Sequence, residues 1–242
     1  MANRIWGGMR QESDDFYRHF AQRYSEVSKG YLDITYDNVS HPKLTGDKDI
    51  IARMQEMIPP NSRGLDAGCG AGARDVFLYW MAGYDIFGVD AVPENVQTAR
   101  DLHPEISDRV SVADLSMSLD IPTASLDFVL CNAVIQHIVP EIVKDVTLPE
   151  LARILKVDGM LQLMFKVGRG TGTVFDKEYD SYRSFHLYTA ETIVEILSDL
   201  CLEVIPRDEI SLSGLIYFTD QKPMEHCVLF ARKLNLQTFW PT

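Results

Sequence analysis

The sequence predicts an α/β protein built on a mostly parallel sheet with helices on both faces. Three observations carry this reading. Short apolar runs alternate with helical patterns of ten or so residues from about residue 63 onward. The first run leads straight into the glycine-rich stretch LDAGCGAG, 65–72. The later runs end on a polar or charged residue, at Asp90, Asp114, Asn132 and Lys166. Such alternation implies a sheet covered on both faces, and ligands of such sheets bind beyond the carboxyl ends of the strands.

In chain order, residues 14–29 carry Phe16, Phe20 and Tyr24 every fourth position, which is helical spacing. Residues 31–46 are rich in turn formers. After Gly46, Ile50, Ile51, Met54 and Ile58 fall on one helical face, and Pro59 with Pro60 stops that helix. Residues 63–68 form a strand ending in glycine, and 73–83 a helix closed by Gly83. Strand 84–90 precedes helix 93–103, with Pro93 in its first turn. Strands follow at 109–114 and 125–133, then a helix over 139–156 with Pro149 as its break point. Residues 160–167 are a buried strand, and 189–200 a helix with Thr189 as N-cap. EVIPRDEISL and EHCVLFARKL close the chain as strands.

Composition narrows the function. The 242 residues suffice for one substantial core without metal or disulfide support. The net charge of −12 disfavours a broad grip on nucleic acid, which needs clustered Lys and Arg. No run approaches the ~20 apolar residues of a membrane span. The N-terminus has no apolar core of the signal type, so a cytoplasmic protein is expected. The four cysteines, Cys69, Cys131, Cys201 and Cys227, show no zinc spacing, so no metal site is expected. Three lie in apolar stretches and suit buried, reduced thiols. Cys69 in the glycine stretch is explained by its small size.

Glycines 68, 70 and 72 permit positive φ and close approach of a ligand to the backbone, next to the first N–H groups of a helix. A dinucleotide fingerprint is GxGxxG, whereas the spacing here is GxGxG. Asp66, two residues before the first glycine, would repel a pyrophosphate and suit an amino-acid ammonium group. Asp90 ends the second strand, where a carboxylate can accept from both hydroxyls of a ribose. Asp114 ends the third, where it can accept from the exocyclic amine of adenine. Ammonium, ribose diol and adenine amine together describe S-adenosylmethionine.

LDAGCGAG, GVDAVPENVQTAR, VADLSMSLDIPTASLDFVLCNAVIQHI and LARILKVDGMLQLMF, taken in order, resemble the motifs of class I S-adenosylmethionine-dependent methyltransferases. The resemblance covers residues 46 to 167 most strongly. It implies a Rossmann-like seven-stranded sheet in the order 3-2-1-4-5-7-6 with the last strand antiparallel. It also implies that Asp66, Gly68 and Gly70 lie by the methionine part, Asp90 and Ala91 by the ribose, and Asp114 and Leu115 by the adenine. Asn132 would lie near the sulfonium. Ala67 departs from the family's commoner residues there, with no consequence for binding.

The stretch CNAVIQHI lacks the Asn/Asp-Pro-Pro-Tyr/Phe signature of base and glutamine methylation and looks like the small-molecule subgroup. One methyltransferase domain over 1–242 is expected. Within it, residues 1–45 resemble that subgroup's lid, and 168–188 form a substrate-covering insertion. The expected reaction is in-line displacement at the methyl carbon by an O, N, S or C nucleophile, favoured by alignment and by exclusion of water. A base is needed only if the nucleophile holds its proton. Candidates are His137, His186 and Tyr24, then His19 and Tyr182; each has an alternative as a packing or surface residue. Tyr24 and Tyr36 are also placed to stack near the cofactor, and Lys166 either touches substrate or snorkels. Trp80, Met54 and Met57 are read as core. The expected partner is a small-molecule substrate, with neither nucleic acid nor membrane, and the chain is a monomer or homodimer. Competing readings are methylation of a protein or nucleic acid, non-catalytic binding of S-adenosylmethionine or S-adenosylhomocysteine, and a dinucleotide oxidoreductase.

Overall fold

The computed structural model describes residues 15–30, 38–39, 47–206, 215–219 and 224–235. Eleven strands occur among them: β1 (Asn38–Val39), β2 (Arg63–Ala67), β3 (Asp85–Asp90), β4 (Val110–Val112), β5 (Leu126–Asn132), β6 (Leu155–Lys166), β7 (Gly170–Asp176), β8 (Ser181–Leu187), β9 (Leu202–Val204), β10 (Ile216–Thr219) and β11 (Glu225–Lys233). The main sheet runs β4-β3-β2-β5-β6-β11-β10-β1, with β9 also paired to β11. The first five strands in that order are mutually parallel. β11 is antiparallel to β6, with Leu229 opposite Leu163.

This is the expected order, with two refinements. The sixth strand is in two pieces on the free edge of β11: β9 meets residues 231–233 and β10 meets residues 225–228. Of the strand expected over EVIPRDEISL, 203–212, Glu203 and Val204 are extended as the end of β9, Ile205 and Pro206 are not in a strand, and 207–214 lie outside the described residues. The stretch read as turn-rich contributes β1, which adds an edge strand antiparallel to β10.

The sheet separates two apolar layers because successive side chains of each strand face opposite ways. Phe128 and Leu130 join Ile50, Met54, Val76, Tyr79 and Val96, under the helices Asp47–Met57, Arg74–Met81 and Pro93–Leu102. Val129 and Cys131 join Leu148, Leu151, Ile154, Ile193 and Leu197, under the helices over 140–154 and Ala190–Asp199. Each fully buried Leu or Phe stabilises the fold by about 1.5–3 kcal/mol. Gly64 is required by packing: a Cβ there would lie 2.2 Å from Phe128 Cζ.

The helix after β5 holds a π-turn over Val143–Thr147, just before Leu148-Pro149. Proline lacks an N–H and its ring clashes with the carbonyl four residues back, so the preceding turn widens. Thr189 caps the helix Ala190–Asp199, its Oγ1 accepting from the Thr192 N–H at 3.2 Å. Residues 168–188 form an antiparallel hairpin of β7 and β8, joined to the sheet where Val167 meets Tyr188.

Candidate functional site

The carboxyl edge of the parallel strands gathers Asp66, the glycine loop, Asp90, Asp114 and Asn132. Gly68 and Gly70 have φ of 94° and 65°, in the left-handed region that favours glycine. A Cβ on Gly68 would stand 2.3 Å from Val134 Cγ2, and one on Gly70 would stand 2.7 Å from Tyr24 Oη. The loop is therefore closed from above by a tyrosine of the N-terminal helix. Ala73 and Ala133, which follow the loop and β5, also have positive φ. Such strain costs roughly 1–2 kcal/mol per residue and persists where the surroundings enforce it.

Asp66 is 4% exposed. No hydrogen bond or ion pair reaches its carboxylate among the described residues. Burial pushes its carboxyl well above the ordinary range, and Asp75 and Asp90 push it further, against Arg74. A cation brought here would relieve a buried, undercompensated charge.

Asp90 is more engaged. Its Oδ2 accepts from the Gly70 N–H at 3.0 Å, and its Oδ1 from the Val92 N–H at 2.9 Å and Asn95 Nδ2 at 3.1 Å. Ala91 beside it is exposed. Asp114 Oδ1 accepts from the Ser116 N–H at 2.9 Å, turning the chain after β4 so that Leu115 enters the core. Asn132 donates to Asp75 Oδ2 at 2.9 Å and accepts from Gln162 Nε2 at 3.0 Å. Arg74 Nε closes this network on Asp75 at 2.7 Å.

A second cluster lies under the N-terminal helix. Tyr17 Oη accepts a short hydrogen bond from Arg183 Nη2 of β8 and lies 3.3 Å from His137 Nε2. Arg183 pairs with the fully buried Asp176 at 3.0 Å and sits against the rings of Phe16, Tyr17, Tyr179 and Phe185. Burial holds the His137 imidazole well below its ordinary range, and Arg183, Lys166 and His186 lower it further. His186 is buried and lowered by that burial, against a smaller opposing effect of Glu141. Lys166 does not snorkel: it is buried, with Nζ 2.8 Å from His226 Nε2 and 4.7 Å from the Phe185 ring centre.

The structure thus brings His137, His186, Lys166 and Tyr24 to one edge. His19 and Tyr182 are exposed, Tyr182 meeting Phe175 edge-to-face on the hairpin. Tyr36 lies outside the described residues. Burial, then Asp66 and Asp90, raise the Cys69 thiol well above its ordinary range, which disfavours the nucleophilic thiolate. Sequence reasoning missed Tyr17, Asp75, Gln162 and Arg183. Tyr17 had a usable signal: it precedes Tyr24 by seven residues, two helical turns.

Comparison with known proteins shows what the chain is similar to. Residues 65–163 match the family described as a methyltransferase domain. The chain has the fold of solved S-adenosylmethionine-dependent methyltransferases. The chain is 32% identical over 107 residues to a 2-methyl-6-phytyl-1,4-hydroquinone methyltransferase of Synechocystis, a match spanning 44% of this chain and 32% of that protein. It therefore covers about a third of that relative's length. Among solved structures, the [4+2]-cyclase SpnF superposes with a TM-score of 0.68 at 17% identity, over 93% of this chain and 97% of that one. The 1,6-didemethyltoxoflavin-N1-methyltransferase of Burkholderia thailandensis, solved with 1,6-didemethyltoxoflavin and S-adenosylhomocysteine, gives 0.62 at 18%, over 93% and 90%. No helix among the described residues is long and apolar enough to cross a membrane.

Proposed function

We propose that this protein transfers a methyl group from S-adenosylmethionine to a small-molecule acceptor. One observation carries the reading: Asp66 is a buried carboxylate that receives no donor among the described residues, placed against a glycine loop with positive φ. A ligand ammonium is the group that such a carboxylate lacks.

In this reading Asp66 takes the ammonium, Gly68 and Gly70 line the methionine part, and Asp90 with Ala91 holds the ribose. Asp114 and Leu115 hold the adenine, and the Asn132 tip borders the sulfur. Tyr24 closes over Gly70. When bound, S-adenosylmethionine supplies an electrophilic methyl carbon. The N-terminal helix and the β7–β8 hairpin cover the acceptor and exclude water, which favours loss of the sulfonium charge. The small-molecule acceptor is supported by the relatives named above and by the acidity of the chain. A fold does not fix its chemistry, as the cyclase of the same shape illustrates.

The test is calorimetric titration with S-adenosylhomocysteine, followed by labelled-methyl transfer into a metabolite extract. Saturable binding and a labelled small product are expected. Absence of binding by folded protein removes the proposal; binding with no labelled product leaves a binding protein instead.

A further inference from the structure

The helix after β5 carries Thr147, Glu150 and Arg153 at intervals of three residues, which are neighbouring positions on a helix surface. All three reach the segment that follows the tip of β4. Thr147 Oγ1 donates to the Leu115 carbonyl at 2.9 Å. Glu150 Oε2 accepts from the Leu119 N–H at 3.0 Å, and Arg153 donates to the Leu119 and Ile121 carbonyls. Thr147 ends the wide turn Val143–Thr147. An inserted residue rotates the side chains beyond it by roughly 100° about the helix axis. The wide turn therefore sets which side chains face this segment.

Thr147 differs from the other two in what it holds. It is 1% exposed, and its hydrogen bond lands on the residue next to Asp114. Asp114 folds the same turn from within. Its Oδ1 accepts from the Ser116 N–H at 2.9 Å, and its carbonyl accepts from the Met117 N–H at 3.0 Å. Leu115 itself packs in the apolar layer with Leu119, Val143 and Leu148. The turn that presents Asp114 is thus tied to the neighbouring helix by a buried hydroxyl and by packing.

We propose that Thr147 is a positioning residue for recognition of the adenine base: by holding the Leu115 carbonyl it fixes the Asp114 carboxylate where the exocyclic amine arrives. This rests on the methyl-transfer reading above, in which Asp114 and Leu115 hold the adenine. Thr147 acts through the turn and touches no ligand. A fixed carboxylate accepts from an amine and opposes an oxo group at the same place. Such a site rejects the analogue that lacks the donor, because its own polar atom is left unmatched. A turn released from Thr147 can swing the carboxylate toward water, and the discrimination fades.

The experiment is calorimetry on the full chain with two probes. One is S-adenosylhomocysteine; the other is S-inosylhomocysteine, which carries an oxo group in place of the exocyclic amine. The wild type should bind the adenosyl probe about tenfold to hundredfold more tightly, the scale of a hydrogen bond to a charged group. Thr147→Val keeps the side-chain shape and removes the hydroxyl. It should weaken the adenosyl probe about tenfold and leave the inosyl probe within about twofold, so that the ratio falls. Thr147→Ser restores the hydroxyl and should restore the ratio. A wild-type ratio in Thr147→Val overturns the proposal, whether both affinities stand or fall together, because a brace of the fold alone moves both probes alike. A serine variant with the lowered ratio overturns it as well. If the valine variant does not fold, Thr147→Cys takes its place: a thiol is a weak donor, so the ratio should drop with cysteine and hold with serine. Equal ratios in those two overturn the proposal. A wild type that binds both probes alike overturns it together with the adenine role of Asp114. A folded wild type that binds neither removes the methyl-transfer reading itself, and is seen first.

Discussion

The backbone N–H of Gly70 donates to Asp90 Oδ2 at 3.0 Å, tying the glycine loop to the tip of the neighbouring strand. The same carboxylate holds Val92 and Asn95 at the start of the next helix. A ribose-binding acid here would therefore also shape the loop that receives the rest of the nucleoside.

Asp90→Ala should weaken S-adenosylhomocysteine binding by about 1.5–3 kcal/mol, the scale of lost charge-assisted hydrogen bonds. That is roughly a tenfold to hundredfold rise in Kd by calorimetry. Asp90→Asn keeps one oxygen for the Gly70 amide and should lose less. Unchanged affinity in a folded alanine variant would remove Asp90 from the cofactor site.

Asp66 should cost the empty protein stability. Its folded pKa lies above its ordinary 3.8, so ionisation disfavours the folded state. The penalty is full above the raised pKa and fades as pH falls toward 3.8. Asp66→Asn should raise the stability of the ligand-free protein by about 1–2 kcal/mol. The corresponding gain in Tm is roughly 2–8 °C at neutral pH, narrowing on acidification. The same variant should lose the thermal shift given by S-adenosylmethionine. An Asn variant that melts lower and still binds would show that the carboxylate is structural.

Arg183 and Asp176 form a pair with side chains 11% and 0% exposed. Burial opposes the charge on Arg183, but Tyr17 and Asp176 more than offset it and raise its pKa. Removing one partner strands the other charge, so Asp176→Asn should cost about 3–5 kcal/mol. Asp176→Leu with Arg183→Leu should cost less than the sum of the single changes, which a double-mutant cycle in urea measures. Additive losses would show that the two charges do not interact.

How far the sequence disclosed the molecule depended on whether the signal was local. β2, β3 and β5 were legible because strands buried on both faces are apolar runs that stop at a polar tip, as at Asp90 and Asn132. The hairpin was not. Its inward face mixes Gly172 and Val174 with Asp176, Arg183 and Phe185, so a buried ion pair interrupts the apolar alternation. Its turn also lacks a two-residue Asn-Gly or Asp-Gly signal. The network of Arg74, Asp75, Asn132 and Gln162 spans three elements, and no spacing along the chain foretells it. Tyr17 was passed over because Phe16, Phe20 and Tyr24 share the more regular spacing.

Glu150 offers a pH test of the segment that carries Asp114 and Leu115. Its Oε2 accepts from Ser118 Oγ at 3.1 Å, the Leu119 N–H at 3.0 Å and Arg153 Nη2 at 2.9 Å, and its Oε1 accepts from Arg153 Nε at 2.9 Å. Arg153 reaches the same segment through the Leu119 and Ile121 carbonyls. The hydrogen bond from Arg153 is the main cause that lowers the Glu150 carboxyl from 4.5 to about 2. Because the folded pKa is depressed, the contribution is complete above 4.5 and disappears as pH falls through about 2. Glu150→Gln should therefore cost about 1–2 kcal/mol at neutral pH, toward the lower end for a partly solvated pair. Thermal melts should show wild type and variant converging between pH 4.5 and about 2. A gap that stays constant across that window would mean that packing of the side chain, not its charge, holds the segment.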